Sequence, residues 1–308
     1  MEFVLPTFEI WQQGNTLADI WKHIARCTRV CYQSTPKENG ETYEEFVKRV
    51  ILRNEPWNSD SNHLAMLEHG TIYLTIPDTG HENNIGRIIA NNKYTKCNYN
   101  DYTWYITTNL RVIYENNWLD DLKYICAPTE HHAKRITVSF TTNIGVTREF
   151  NRHRVNSIAE ESTRFCNYNK SNDGQIKIGL PAWLLNEENM PYLESHQFDK
   201  LSSYCEDVLG NESLIDNWCD IDYYLFSLTV AEFCYNSLIQ KGWKPQQARE
   251  VLPLATKSQL IHTAFVDDWK HFFKLRADGV SCPPHPNAKL LAKPLKDKFI
   301  ELGYINEN

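Results

Sequence analysis

The spacing of apolar residues changes partway along this chain, and that change restricts its fold more than any other feature. Thr71–Ile76 alternates, with Ile72, Leu74 and Ile76 on one side, and ends at Pro77. Trp104–Thr108 and Arg135–Thr142 read the same way, the latter with Ile136, Val138 and Phe140 inward. Period two over such lengths is the pattern of half-buried strands. Outside this region the period is helical. Leu17–Cys31 gathers Leu17, Ile20, Trp21, Ile24 and Ala25 on one face, and Tyr43–Leu52 is helical as well. Asp220–Gln240, Pro245–Leu252, Ser258–Leu275 and His285–Leu302 read as helices too, the last following Cys282-Pro283-Pro284. Strands in the first half with helices packed on them indicate an α/β or α+β fold with a long helical C-terminal half.

No repeat, low-complexity tract or linker interrupts the 308 residues, so 1–308 is read as one domain. Asp78–Asn100 is polar and Asn-rich, which suggests a surface excursion within an insertion at about 78–134. The net charge of −7 disfavours a general nucleic-acid binder, while leaving room for a local basic pocket. No apolar run reaches bilayer length, and Met1–Gly14 lacks a basic start followed by an apolar stretch. The expected location is therefore the cytoplasm, with no membrane partner. Nine cysteines at irregular spacing are expected to be free thiols. His23, Cys27 and Cys31 share a helical spacing, but the second half of a zinc ligand set is missing, so no metal is expected.

The chemistry concentrates in Arg148–Phe165, with four Arg, one His and three Glu in eighteen residues. A solvated helix face is the ordinary reading of a charge run. Here the signs do not follow i, i+4 pairing; Arg152 and Arg154 bracket His153, and Glu160-Glu161 precede Ser162-Thr163-Arg164. Guanidinium forks beside hydroxyls suit phosphate oxygens. On residues alone, a phosphorylated-ligand pocket and a structural network both stand.

Arg152-His153-Arg154, seven residues, then Ser162 resembles the R-H-R-x7-S signature of the flavin-dependent thymidylate synthases. Leu67-Glu68-His69 resembles that family's Glu-His segment, and Ala248-Arg249-Glu250-Val251-Leu252-Pro253 its Ala-Arg-x-x-Leu-Pro stretch. His271–Arg276 resembles the late helix that supplies a catalytic Arg. These blocks run in order from about residue 64 to 290.

The resemblance implies a central, mainly antiparallel sheet packed by helices. It also implies conversion of dUMP to dTMP with FAD as cofactor, and 5,10-methylenetetrahydrofolate and NADPH as co-substrates. The catalytic residue would be Arg276. Glu149, Arg152, Glu160, Glu161, Ser162, Thr163, Arg164, Arg249 and Arg276 would bind dUMP, the last two reaching it from a neighbouring subunit of a homotetramer. His69, Thr71, Arg152, His153, Arg154, Glu160 and His271 would contact FAD. Ser162 is then a nucleotide ligand, not a nucleophile, and Cys166 a packed hydrophobe. The chain departs from the commonest pattern at Glu149, Ala159, Phe265, His271 and Cys282–Pro286. The alternatives are a flavoprotein of this fold without methyl transfer, and a phosphate- or RNA-binding module.

Overall fold

A computed structural model describes residues 1–35, 40–53, 63–78, 92–168, 175–195 and 218–307. The strands are β1 (Glu2–Val4), β2 (Thr7–Trp11), β3 (Thr71–Pro77), β4 (Lys96–Asn100), β5 (Thr103–Asn109), β6 (Arg135–Asn143), β7 (Ser157–Glu160), β8 (Lys177–Gly179) and β9 (Lys257–Phe265). The first helices are α1 (Leu17–Tyr32), α2 (Tyr43–Val50), α3 (Leu110–Glu115), α4 (Ile144–Phe150) and α5 (Asn189–Ser195). Then come α6 (Asp220–Gln240), α7 (Pro245–Ala248), α8 (Val266–Phe273) and α9 (Pro286–Glu301). Backbone contacts divide the chain into two compact units. One comprises Met1–Thr7, Thr141–Glu149 and Ser162–Ser258; the other comprises Phe8–Phe140, Phe150–Glu161 and Gln259–Asn308.

In the first unit β1 pairs in parallel with β8, from Glu2↔Lys177 to Val4↔Gly179. The helix expected at Asp220–Gln240 is present as α6, with Asp220 and Asp222 in its first turn, where carboxylates suit the positive end of the helix dipole. Its Leu228 and Tyr235 join Tyr168, Ile176, Ile178 and Ala248 in one core. Ile221 and Leu225 join Leu180, Leu184 and Leu193 in a second.

The second unit is built around α1. Thr16 caps this helix reciprocally with Asp19, the Asp19 N–H donating to Thr16 Oγ1 at 3.2 Å and the Thr16 N–H to Asp19 Oδ2 at 3.2 Å. Gln33, in the left-handed conformation at φ 46°, ends it. One flank of α1, with Ile20, Trp21 and Ile24, packs into a core with Val47 of α2, Leu67, Ile72 and Leu74 of β3, Ile106 of β5 and Ile113 of α3. Full burial of Ile24 contributes about 2 kcal/mol. The other flank sets Cys27 and Val30 against Trp11, Ala159 and Ile261. The sheet on the first flank is antiparallel in the order β3-β5-β4, with Ile72↔Thr108 and Cys97↔Ile106 in register. The sheet on the second runs β2-β6-β9-β7, and β7 and β9 are antiparallel. Mixed helix and largely antiparallel sheet is the expected fold class.

Three expectations need correcting. Ser258–Leu275 is not one helix: Lys257–Phe265 is strand β9, followed by α8 and a π-helical turn, Lys274–Asp278. From Leu260 onward β9 is buried on both faces, so Lys257–Phe265 shows no apolar/polar alternation and its period does not separate a strand from a helix. Asp78–Asn100 ends in a strand, β4; residues 79–91 lie outside the described residues. Pro245–Leu252 is a single turn of α-helix completed by a 3-10 turn, Arg249–Val251. Among the described residues no helix is long and apolar enough to cross a membrane.

Candidate functional site

The Arg152–Ser162 segment is not helical. After α4 ends at Phe150 the chain makes two tight turns, with the His153 N–H donating to Phe150 O at 3.1 Å and the Asn156 N–H to His153 O at 3.0 Å. It then enters β7, which aligns Ser157 with Thr263 and Glu160 with Leu260 of β9. These turns drive His153 inward, where it is buried, and leave Arg152 and Arg154 exposed on either side. Neither guanidinium has a partner among the described residues.

His153 faces α8 and the π-turn that follows it. Its ring lies 4.9 Å from Phe272 and 5.9 Å from His271, centroid to centroid. The Arg276 Nε–H donates to His153 Nε2 at 3.2 Å, so that nitrogen is an acceptor and the ring is neutral. Burial, then the Arg276 and His271 charges, holds the His153 pKa down at about 4. π-turns recur where a helix must widen to aim a side chain at a ligand. Here the turn carries Arg276, half-buried, and closes on Gly279 at φ 71°.

His69 and Thr71 occupy a different part of the same unit. His69 is fully buried, its Nδ1 2.8 Å from Thr263 Oγ1. Thr263 Oγ1 lies 2.8 Å from Thr137 Oγ1, and Thr137 lies 3.1 Å from His23 Nε2. A buried chain of polar groups, His23–Thr137–Thr263–His69, thus crosses from α1 through β6 and β9 to the 3-10 turn Leu64–His69. This corrects the simple alternation expected of β6: Arg135, Thr137 and Ser139, on the face opposite Ile136, Val138 and Phe140, are buried as well. Burial is the main reason that both histidines are held neutral, His23 at about 4 and His69 well below the ordinary value. His69 Nε2 makes no hydrogen bond of good geometry, although the Ile158 backbone beside it favours the charged form. Thr71 receives the Arg135 Nη1–H at 3.3 Å, and its backbone is held by Gln13.

Glu160 accepts from Asn151 Nδ2 at 2.8 Å. Glu161 is buried, its N–H donating to Gln259 O at 2.8 Å and its Oε2 accepting from the Gln259 N–H at 3.1 Å. His262, opposite Ile158, is buried among Phe140, Phe150, Trp269 and Phe272, with Nδ1 3.0 Å from Asn156 Nδ2 and its pKa down at about 3 through burial.

In the first unit a second group forms. Ser162 Oγ accepts from the Arg164 N–H at 3.3 Å, Arg164 Nε donates to Gln246 Oε1 at 3.2 Å, and Arg249 Nη1 to Thr163 Oγ1 at 3.4 Å. The turn Ser162–Arg164 and the Ala248-Arg249 block, 86 positions apart at the Thr163–Arg249 contact, are therefore neighbours within one chain. Glu149 is half-buried at the end of α4, and Cys166 is buried. Of the possible zinc ligands, His23 is engaged by Thr137 and burial raises the Cys27 thiol pKa, which disfavours a thiolate. No metal-like cluster of three such residues exists among the described residues.

Sequence reasoning missed Gln246, Asn151, Asn156, His262 and Arg135. Gln246 adjoins the recognised Ala248-Arg249 block, so proximity in sequence was the available signal. The others become partners only through strand pairing and turn geometry.

The family described as Thy1, thymidylate synthase complementing protein, matches residues 124–299. A flavin-dependent thymidylate synthase of Corynebacterium glutamicum is 26% identical over 138 residues, which is 42% of this chain and 44% of that protein. The aligned part thus spans less than half of that relative's length. Among solved structures, the UMP/dUMP methylase PolB of Streptomyces cacaoi is similar in two forms. The complex with 5-Br dUMP has a TM-score of 0.41 at 13% identity, covering 98% of this chain and 93% of that one. The complex with 5-Br UMP has a TM-score of 0.42 at 16% identity, covering 98% and 92%.

Proposed function

The chain belongs to the Thy1 family, and on that premise we propose that it is a flavin-dependent methyltransferase converting dUMP to dTMP. The observation that carries this reading is the pair of exposed guanidinium groups, Arg152 and Arg154, unpaired among the described residues, on either side of a buried neutral His153 that accepts from Arg276. In a chain of net charge −7, cations without acidic partners are donors held ready for an external anion.

The residues present fit FAD. Arg152 and Arg154 offer forks for pyrophosphate oxygens, and the exposed His271 stands beside His153. Bound FAD would supply hydride chemistry, drawing on NADPH, while 5,10-methylenetetrahydrofolate would supply the carbon. The protein's part is orientation and charge. Arg276 is held by its bond to His153, and a guanidinium beside uracil N3 would favour the ionised ring, which directs electron density to C5. Each pKa unit so gained is worth about 1.4 kcal/mol. Ser162, Thr163, Arg164 and Arg249 would hold dUMP, with Glu149, Arg152, Glu160 and Glu161 as further contacts. His69 and Thr71 would serve FAD from the enclosed side. A homotetramer with shared sites and a cytoplasmic location complete the proposal.

The test is a purified protein assayed for bound flavin by its visible spectrum and for dTMP formation from dUMP. Arg276→Ala is expected to retain FAD while turnover falls by about 100-fold or more. A protein that neither carries nor binds flavin overturns the reading. One that binds flavin but cannot rescue a thymidine-requiring host is a flavoprotein without methyl transfer.

A further inference from the structure

Arg135 opens β6 and is almost wholly enclosed. Its Nη1 donates to Glu68 O at 3.1 Å and to Thr71 Oγ1 at 3.3 Å, and its Nη2 donates to Ser157 Oγ at 3.1 Å. Among the described residues its Nε has no acceptor, and its Cζ lies 5.5 Å from the centroid of the Phe265 ring. Every oxygen it touches is neutral. The Glu68 carboxylate, one of the charges that act on Arg135, is itself bound by Arg111 of α3 at 2.5 Å. Among the described residues, Arg135 forms no ion pair within 4 Å.

An enclosed cation satisfied only by neutral oxygens is an expensive way to join two segments. Desolvating a charge is costly, and apolar side chains of similar volume often replace whole buried ion pairs with no loss of stability. The two segments joined are not arbitrary. Glu68 and Thr71 flank His69, and Ser157 begins the strand that ends at Glu160.

We propose that Arg135 is a positioning residue for the flavin site, holding the Glu68–Thr71 segment against the start of β7 and lending positive potential to an anionic cofactor. This rests on the flavin-dependent reading above. It assigns the charge a use in binding that packing alone would not require. Stability and flavin affinity should therefore respond differently when the charge is removed.

The test compares the full-length wild-type protein with Arg135→Met and Arg135→Lys, measuring the thermal midpoint and the FAD dissociation constant by flavin fluorescence. Arg135→Met, which keeps volume and drops charge, leaves Glu68 O, Thr71 Oγ1 and Ser157 Oγ without this donor and is expected to melt somewhat below the wild type, while FAD, measured where the variant is fully folded, binds at least tenfold more weakly. Arg135→Lys, which keeps charge and loses the fork, should recover part of that affinity. Wild-type affinity in Arg135→Met overturns the proposal. A parallel loss of melting temperature and affinity in both variants also overturns it, showing a structural staple alone. If Arg135→Met does not fold, Arg135→Lys decides: weakened FAD binding in a folded protein supports the role, and wild-type binding or failure to fold refutes it. A wild-type protein that binds no FAD removes the functional reading itself, an outcome seen before any variant is compared.

Discussion

Replacing His23 with Gln should flatten the acid limb of this protein's stability. His23 is buried on α1, its Nε2 3.1 Å from Thr137 Oγ1 and its ring edge-on to Trp11 at 6.3 Å. Burial first, then the Arg26 and Arg135 charges, lowers its pKa from 6.5 to about 4. A histidine whose folded pKa is depressed binds its proton more readily in the unfolded chain. Its contribution is therefore present above the unfolded pKa and is lost as pH falls from about 6.5 toward about 4. Linkage with these two values gives a loss of about 2 kcal/mol by pH 5 and about 3 kcal/mol by pH 4, relative to pH 7. Glutamine keeps a donor and an acceptor near Thr137 but does not titrate. His23→Gln is expected to be less stable than wild type at pH 7, because the ring contact with Trp11 is lost. The deficit should shrink by about 2 kcal/mol on going to pH 5. Urea unfolding at half-unit steps from pH 7 to 4.5 measures this directly. His262 contributes equally to both curves, and His69 differs between them only through the His23 charge, a lesser cause of its low pKa than burial, so the difference is dominated by His23. Parallel stability curves across that range would show that the His23 pKa is not depressed in the folded protein, and the argument from burial would fail.

Gly279→Ala should destabilise the protein by about 1–3 kcal/mol, since φ is 71° and an added Cβ would sit 2.6 Å from Pro284 Cδ. Because Gly279 closes the π-turn bearing Arg276, dTMP formation should fall more than FAD binding; equal losses in a melting and turnover comparison would count against that link. Thr263→Val, nearly isosteric, leaves His69 Nδ1 and Thr137 without their shared partner and should cost about 1–3 kcal/mol. A thermal midpoint unchanged from wild type would mean that the buried chain carries no net stabilisation.

Much of this molecule was legible in its residues because the signals are local. The apolar face that begins at Leu17 predicts α1 to within a residue. β3 was visible in Ile72, Leu74 and Ile76, and α6 in its unbroken apolar periodicity. The family was legible in Arg152-His153-Arg154 with Ser162, since the spacing of charged groups needs no knowledge of the fold.

What stayed hidden depends on what lies opposite each residue. Lys257–Phe265 is a strand because β6 and β7 pair with its two edges, while α1 covers Ile261 on one face and α8 covers His262 on the other, which erases the alternation that marks a strand at a surface. Arg135 looked like the charged start of a half-solvated strand, and only the Leu64–His69 turn and β7 make it an enclosed junction. His153 and Arg276 are 123 positions apart, and no local rule sets an acceptor nitrogen against a distant guanidinium. The sequence by itself determined the chemical inventory, the helices and strands with one solvated face, and the family. Tertiary structure decided which face of each strand meets water, which histidines lose their charge, and which arginines remain free to meet an anion. The physical reason is that desolvation and hydrogen-bond partnership belong to the space around a group, and that space is filled by residues far away in the chain.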